Sequence, residues 1–393
     1  MEDLDLPGQL KPLSLSKKAY KSYYGNFANG SLWPVFHGLQ PRRVFDEEDW
    51  QIALGVVQQF ADKIIELAEP DDYIWIHDFH LIMLPKLLRE AGLRNRIGFF
   101  LHTPFSQPEV FQSLPHSREM IDSLRAADVC GFQTSNDAEG YSKSKEALGI
   151  KDEKRAPQLI GVYPVGIDYA SYATAFQRDA VRKHSARIAD LYGDKTIILS
   201  ISRLDYTKGI VEQLRAVEEF LMQADNPRSY LYKLIVAPSR ESLTEYQQLS
   251  QEIQATVTEI NNRLASPGWV PIDYDNRAVP TDEVVAWFAK ADVMLVTPQI
   301  DGMNLVAKEY IAAKIDNHGL LILSNSAGAA HQLKQALLVD PNNHSEIVSA
   351  LRQANTMPQH ERRKRFLAMR QNVRSEDAYF WGNKFSEDLE TST

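Results

Sequence analysis

Arg203 and Lys208 stand on either side of a turn, Arg203-Leu204-Asp205-Tyr206-Thr207-Lys208-Gly209, that follows the apolar run Thr196–Ser202 and precedes a helical pattern from Ile210. Arginine offers a planar fork and lysine a mobile point charge, so beside the free N–H groups of a helix start the two can neutralise a departing diphosphate. The plainer alternative is two surface cations around a turn. A second strand-to-helix junction, Val296-Thr297-Pro298-Gln299-Ile300-Asp301-Gly302-Met303-Asn304-Leu305-Val306-Ala307-Lys308-Glu309, supplies carboxylates instead. Asp301 is placed to accept from hydroxyls, and Glu309, about two turns into the helix, can take a vicinal diol with its two oxygens. This pattern fits half of a sugar-nucleotide site. On this segment alone, an ordinary connection with Asp301 as the helix N-cap is the commoner reading.

Further polar groups sit where apolar runs stop. Tyr73–Ile76 ends in His77-Asp78-Phe79-His80, Ile97–Leu101 ends in His102-Thr103-Pro104-Phe105, and Leu231–Ala237 ends in Pro238-Ser239-Arg240. Strand ends of this kind orient substrate in parallel-sheet enzymes more often than they hold metal, although His77, Asp78 and His80 also read as ligands. Asp273-Tyr274-Asp275 has the Asp-x-Asp form of some metal-dependent sugar transferases, but it follows Trp269-Val270-Pro271-Ile272 like a loop. Tyr23–Pro34 interleaves aromatics with amides, which suits a sugar ring or simple core packing. Ser324–Ala330 is a small-residue turn that either lets backbone approach something closely or packs a helix on a sheet.

The elements that carry these groups alternate. Helical spacing from Trp50 to Leu67 leads into the strand at Tyr73. Strands at Ile97 and at Val129–Gln133 then complete a βαβαβ series whose parallel sheet needs helices on both faces. A strand breaks at Gly161–Asp168, and a second α/β series opens at Thr196. The expected division is 1–168, an acceptor-side Rossmann-like domain incomplete at its start; 169–370, a nucleotide-sugar domain; and 371–393, a helix returning to the first. A chain of 393 residues with net charge -9 does not suit broad nucleic-acid or anionic-membrane binding, so its basic residues act locally. Cys130 is the single cysteine, which fits a reducing cytoplasm. Met1–Pro7 is acidic and interrupted by proline, unlike a signal peptide, and no apolar run reaches the roughly 18 residues of a membrane span.

Five motifs in order resemble one family. Tyr-Tyr-x-x-Phe-x-Asn-x-x-Leu-Trp-Pro (23–34), Trp-Ile-His-Asp-Phe-His (75–80), Phe-Phe-Leu-His-Thr-Pro-Phe (99–105), Arg-Leu-Asp-Tyr-Thr-Lys-Gly (203–209) and Asp-Gly-Met-Asn-Leu-Val-Ala-Lys-Glu (301–309) look like those of the trehalose-6-phosphate synthases, over almost the whole chain from about Leu15. The resemblance implies an α/β fold of two facing Rossmann-like domains of the GT-B type with the active site in the cleft between them. It implies transfer of glucose from UDP-glucose to glucose 6-phosphate with retention, without metal or cofactor. By that similarity Arg203 and Lys208 hold the diphosphate, Glu309 the ribose, Val279 the uracil through its backbone, and Asp301, Gly302 and Met303 the donor glucose. Leu305 and Val306 supply backbone near the diphosphate. Tyr24, Trp33 and Asp78 line the acceptor pocket, Arg240 meets its phosphate, and His102 touches the transferred sugar. Arg203, Lys208, Asp78 and His102 are thereby the catalytic set.

One departure accompanies the match. The family begins with a strand and a basic glycine-rich loop, whereas only Gly8 precedes Gly25 here. A sheet lacking that strand has an exposed edge, which favours pairing into a homo-oligomer. Two alternatives stay open: a glucosylglycerol-phosphate synthase, disfavoured by Arg240 and Arg203-Leu204-Asp205, and a non-catalytic homologue that binds sugar phosphate or a partner subunit.

Overall fold

The computed structural model describes residues 9–41, 44–150, 158–240 and 243–392. Met1–Pro7 and Gly8 lie outside them. The chain divides into two compact units, one running to Val162 and taking back the residues from Phe385, the other spanning Tyr163–Lys384. Each is a Rossmann-like parallel sheet, so the GT-B-type α/β class expected from sequence is the one observed.

The first sheet holds β1 (Tyr73–His77), β2 (Arg96–Phe100), β3 (Val129–Phe132) and β4 (Leu159–Val162), in that spatial order and all parallel. Residues of β2 and β3 are nearly all buried, the continuous apolar reading of strands covered on both faces. His77 pairs with Phe100, and the Asp78 N–H donates to the Phe100 carbonyl at 2.8 Å. That register brings the polar ends after β1 and β2 side by side. Ahead of β1 the helix Glu47–Leu67 is capped by the Asp46 carboxylate, which accepts from the Glu48 N–H at 2.8 Å. Earlier still, Lys21–Leu32 winds as a π-helix, a form that concentrates at functional sites.

The helix Ala378–Thr391 brings Phe385 onto this sheet, where its ring stacks on Trp75 with centroids 4.5 Å apart. Gly98 of β2 makes the room. A Cβ there would lie 2.5 Å from the Phe385 ring.

The second sheet holds β5 (Thr196–Arg203), β6 (Tyr230–Ala237), β7 (Ile272–Asp275), β8 (Val293–Val296), β9 (Leu320–Ser324) and β10 (Leu337–Val339), in the spatial order β10-β9-β8-β5-β6-β7. The chain lays strands outward from β5 in one direction, then returns to lay β8 on its other side. This is a topological switch point, and the crevice beyond the ends of β5 and β8 is where such sheets bind ligands. The two motifs at 203–209 and 297–309 begin at those ends.

Two sequence expectations change. Asp273-Tyr274-Asp275 is no loop but belongs to edge strand β7, and both carboxylates lie 2.9 Å from Lys233 Nζ, with Tyr192 donating to Asp273. Lys233 is almost fully buried on β6, so two acidic partners offset the cost of its desolvation. β10 was not anticipated, because three residues, one of them exposed, carry too little pattern. Among the described residues no helix is long and apolar enough to cross a membrane.

Candidate functional site

At the switch point the second unit assembles one charged cluster. Lys208 Nζ lies 2.7 Å from Asp301 Oδ2, with both side chains largely buried, and Asn304 Nδ2 donates to the same oxygen at 2.9 Å. Asn304, rather than Asp301, caps the helix Leu305–Ala313: its Oδ1 accepts from the Ala307 N–H, and its backbone sits at φ 73°. The N-cap reading of Asp301 is thereby corrected. Asparagine tolerates the left-handed region and is a strong cap, which is the sequence signal that identifies it. Leu305 and Val306 occupy the first helical positions, so their N–H groups are among those the helix itself leaves without an intrahelical acceptor.

Backbone-to-backbone packing fixes this turn. Gly328 donates to Asp301 O at 3.0 Å and Ala329 to Met303 O at 2.8 Å. A Cβ on Gly328 would lie 2.0 Å from Gly302 O. The small-residue turn after β9 thus serves close backbone approach, the first of its two readings. Gly209, at φ 62°, does the same for the other motif: a Cβ would meet Thr297 O at 2.8 Å, and the Gln299 N–H donates to Thr207 O at 2.7 Å.

Glu309 is mostly buried on the helix Leu305–Ala313. Burial raises its carboxyl above the usual range, and a hydrogen bond from Tyr172 pulls it part of the way back. Tyr172 was invisible to motif reading because it lies far away in sequence. Val279, Leu305 and Val306 are partly buried against the apolar cluster that contains Met303. Arg203 ends β5 and is exposed. Arg240 is held by Asp205 at 2.8 Å and by the Tyr246 hydroxyl.

The first unit presents a different site. Asp78 adopts φ 74° and ψ 161°, a conformation costing of order 1–3 kcal/mol for a residue with a Cβ, and the surrounding hydrogen bonds hold it there. Its Oδ1 accepts from the His102 N–H at 3.3 Å. Burial pushes the Asp78 carboxyl up to about 6, although N–H groups of Phe79, His102 and Thr103 favour the ionised form. His102 is driven down to about 4, by burial first and then by His77, whose Nδ1 is 3.1 Å from His102 Nε2. Burial lowers the His77 imidazole as well, so both rings favour the neutral form, in which one can donate to the other.

Aromatic contacts bring the remaining residues to this strand end. Tyr24 stacks on His80 at 5.5 Å and on Tyr20 at 5.1 Å, while Trp33 packs against Phe79 at 5.9 Å. Trp33 is 8% exposed, so it is as much core as pocket wall. Tyr24 and Trp33 thus pack on the two residues that follow Asp78. Among the described residues no three or more His, Cys, Asp or Glu side chains are grouped to hold a metal ion.

Two Rossmann-like sheets, one with cations and carboxylates at its switch point and the other with polar strand ends among aromatics, define a two-domain α/β protein built to handle polar, phosphate-bearing ligands. The profile of glycosyltransferase family 20 matches residues 3–391, and the chain belongs to that family. The trehalose-6-phosphate synthase of Klebsiella pneumoniae is 38% identical over 391 residues, 96% of this chain and 81% of that protein. The bifunctional trehalose-6-phosphate synthase/phosphatase of Thermoproteus tenax is 37% identical over 390 residues, and there the chain spans 53% of the relative's length. Among solved structures, the E. coli protein bound with UDP-2-fluoro glucose superposes with a TM-score of 0.91 at 35% identity, covering 96% of this chain and 86% of that one. The Burkholderia xenovorans alpha,alpha-trehalose-phosphate synthase in complex with glucose-6-phosphate gives 0.89 at 34% identity, covering 96% and 85%.

Proposed function

We propose that the chain is a retaining glycosyltransferase that moves glucose from UDP-glucose to the anomeric hydroxyl of glucose 6-phosphate, giving α,α-trehalose 6-phosphate and UDP. The observation that carries this reading is the Lys208–Asp301 pair at the switch point, beside the first N–H groups of the helix that bears Glu309. Relatives named for this activity, and solved relatives holding a UDP-glucose analogue or glucose 6-phosphate, support it.

In the reaction the acceptor O1 attacks donor C1 on the face from which the phosphate departs. The C1–O bond to the diphosphate breaks, and a departing phosphate oxygen takes the acceptor proton. Negative charge grows on the diphosphate, so fixed cations there are the largest electrostatic lever, the role assigned to Arg203 and Lys208. Leu305 and Val306 add N–H groups to the diphosphate, Glu309 takes the ribose hydroxyls, and Val279 takes the uracil through its backbone. Asp301, Gly302 and Met303 hold the donor glucose. Asp78, Tyr24 and Trp33 bind the acceptor sugar, Arg240 its phosphate, and His102 the transferred glucose.

No metal or other cofactor enters this account, because Arg203 and Lys208 supply the charge that a divalent ion supplies elsewhere. Activity undiminished by a chelator checks that part. The small molecules are the proposed partners, with homo-oligomerisation through a sheet edge and a cytoplasmic location as further parts of the reading. The test is UDP release from UDP-glucose with glucose 6-phosphate, with glycerol 3-phosphate and with no acceptor. Release only with glucose 6-phosphate is expected. Release only with glycerol 3-phosphate moves the assignment to the sister reaction, and none with any acceptor, from folded protein, leaves a binding protein.

A further inference from the structure

The Asp205 carboxylate is 1% exposed and divides its two oxygens between two substrate sites assigned above. Oδ1 accepts from the Thr207 N–H at 3.0 Å and from its hydroxyl at 2.9 Å, which shapes the short turn Tyr206–Lys208. Oδ2 accepts from Arg240 Nη1 at 2.8 Å and from the Tyr246 hydroxyl at 3.3 Å. Arg240 also donates to the Tyr246 oxygen, and its guanidinium carbon stands 5.5 Å from that ring's centroid.

Arg240 is constrained from its backbone as well. It lies at φ 50°, which a residue with a Cβ adopts at a cost, and the tether at its far end fixes where the guanidinium is presented. Its side chain is 8% exposed, so the buried charge needs a fixed counter-charge and hydrogen bonds. Asp205 meets that need from within the motif that carries Arg203 and Lys208.

We propose that Asp205 is a positioning residue that sets the acceptor-phosphate arginine relative to the donor-diphosphate turn, and so controls the preference for a phosphorylated acceptor. The inference rests on the functional reading above, in which Arg240 meets the acceptor phosphate. One oxygen serves the donor side and the other the acceptor side, so the two roles separate by substitution. In Asp205→Asn the amide oxygen still accepts from Thr207, whereas the NH2 that replaces Oδ2 cannot accept from Arg240. In Asp205→Ala the bonds on both sides are lost.

The experiment titrates UDP and glucose 6-phosphate separately into folded wild-type protein and variants by calorimetry. Wild type comes first: if it binds UDP but not glucose 6-phosphate, the functional reading fails and this inference falls with it. With wild-type binding in hand, Asp205→Asn is expected to weaken glucose 6-phosphate about tenfold or more while UDP affinity changes by less than about threefold. Asp205→Ala is expected to weaken both. In an Arg240→Ala background Asp205→Asn should cost glucose 6-phosphate nothing further, since its effect runs through the arginine.

A merely structural role would lower the melting temperature without separating the two ligands. If Asp205→Asn does not fold, Tyr246→Phe keeps the ion pair and removes the shared hydroxyl, with weaker glucose 6-phosphate and unchanged UDP expected. Glucose 6-phosphate affinity within about twofold of wild type, in Asp205→Asn or, failing that protein, in Tyr246→Phe, overturns the inference.

Discussion

The strand ends of the first unit and the switch point of the second solve opposite electrostatic problems. Around Asp78 and His102, burial works against charge: the carboxyl is pushed up to about 6 and the imidazole down to about 4, and the His102 ring meets another histidine at 3.1 Å. Around Lys208, Asp301, Asp205 and Arg240, buried side chains of opposite sign pair instead, each within 2.8 Å of its partner. The contrast fits the proposed division of labour. A sugar offers hydroxyls, which neutral donors and a readily protonated carboxylate can follow, whereas a diphosphate or phosphate needs permanent cations held in fixed geometry.

The largest expected effect removes charge from the second region. Lys208→Ala takes away a cation proposed for the leaving group and the charged partner of Asp301, and turnover should fall about 10²–10³-fold in UDP-release assays. A fall of less than about threefold would erase the distinction between the two regions, because Lys208 would then serve its buried ion pair and not the leaving group.

Next comes a change that moves the same region without altering its charge. Gly328→Ala drives a Cβ against Gly302 O and must displace the Asp301–Met303 backbone. A rise of about tenfold in the UDP-glucose KM is expected, with a smaller effect on glucose 6-phosphate. Equal effects on both substrates would mean that the turn serves stability more than donor binding.

The first region should reveal itself through pH. If the ionised Asp78 carboxylate accepts from the acceptor sugar, kcat/KM for glucose 6-phosphate rises as pH increases through about 6, and Asp78→Asn removes that limb along with most activity. The stability effect has the opposite sign. A carboxyl whose folded pKa is raised stabilises fully below the unfolded value near 4 and loses that contribution as pH rises through about 6. At pH 8, Asp78→Asn should therefore be more stable by about 1–2 kcal/mol in denaturant titrations. A less stable variant would show that the hydrogen bonds from His102 and its neighbours outweigh the burial.

The smallest effect concerns His116, outside both sites, which bridges Glu47 at 3.0 Å and Glu119 at 2.9 Å. Burial disfavours its charge, the two carboxylates outweigh that, and its pKa lies above the ordinary value. Its contribution to stability is present below about 6.5 and is lost as pH rises through the raised value. His116→Gln should lower the melting point by about 1–2 °C at pH 6 and leave it unchanged at pH 9. The same loss at both pH values would assign the effect to the ring's stacking on Trp50 rather than to its charge.

What the sequence determined by itself is considerable. Apolar runs stopping at polar residues located most of the parallel strands, though neither β7 nor β10, because a strand covered on both faces must be apolar throughout and can become polar only where it leaves the sheet. The motifs at 203–209 and 301–309 were legible for the same reason, as strand ends followed at once by helix starts. Tertiary structure decided which of these groups meet. Lys208 finds Asp301 because β8 returns to lie beside β5, a pairing across 93 positions that no local pattern encodes. Asp273 and Asp275 carried a metal-like spacing, yet Lys233 on the neighbouring strand claims both. The Asp78 carboxyl and the His102 imidazole look ordinary in a sequence, and it is burial first, with His77 beside His102, that shifts them. Periodicity is local and survives in one dimension, whereas desolvation and charge pairing depend on which distant segments the fold packs together.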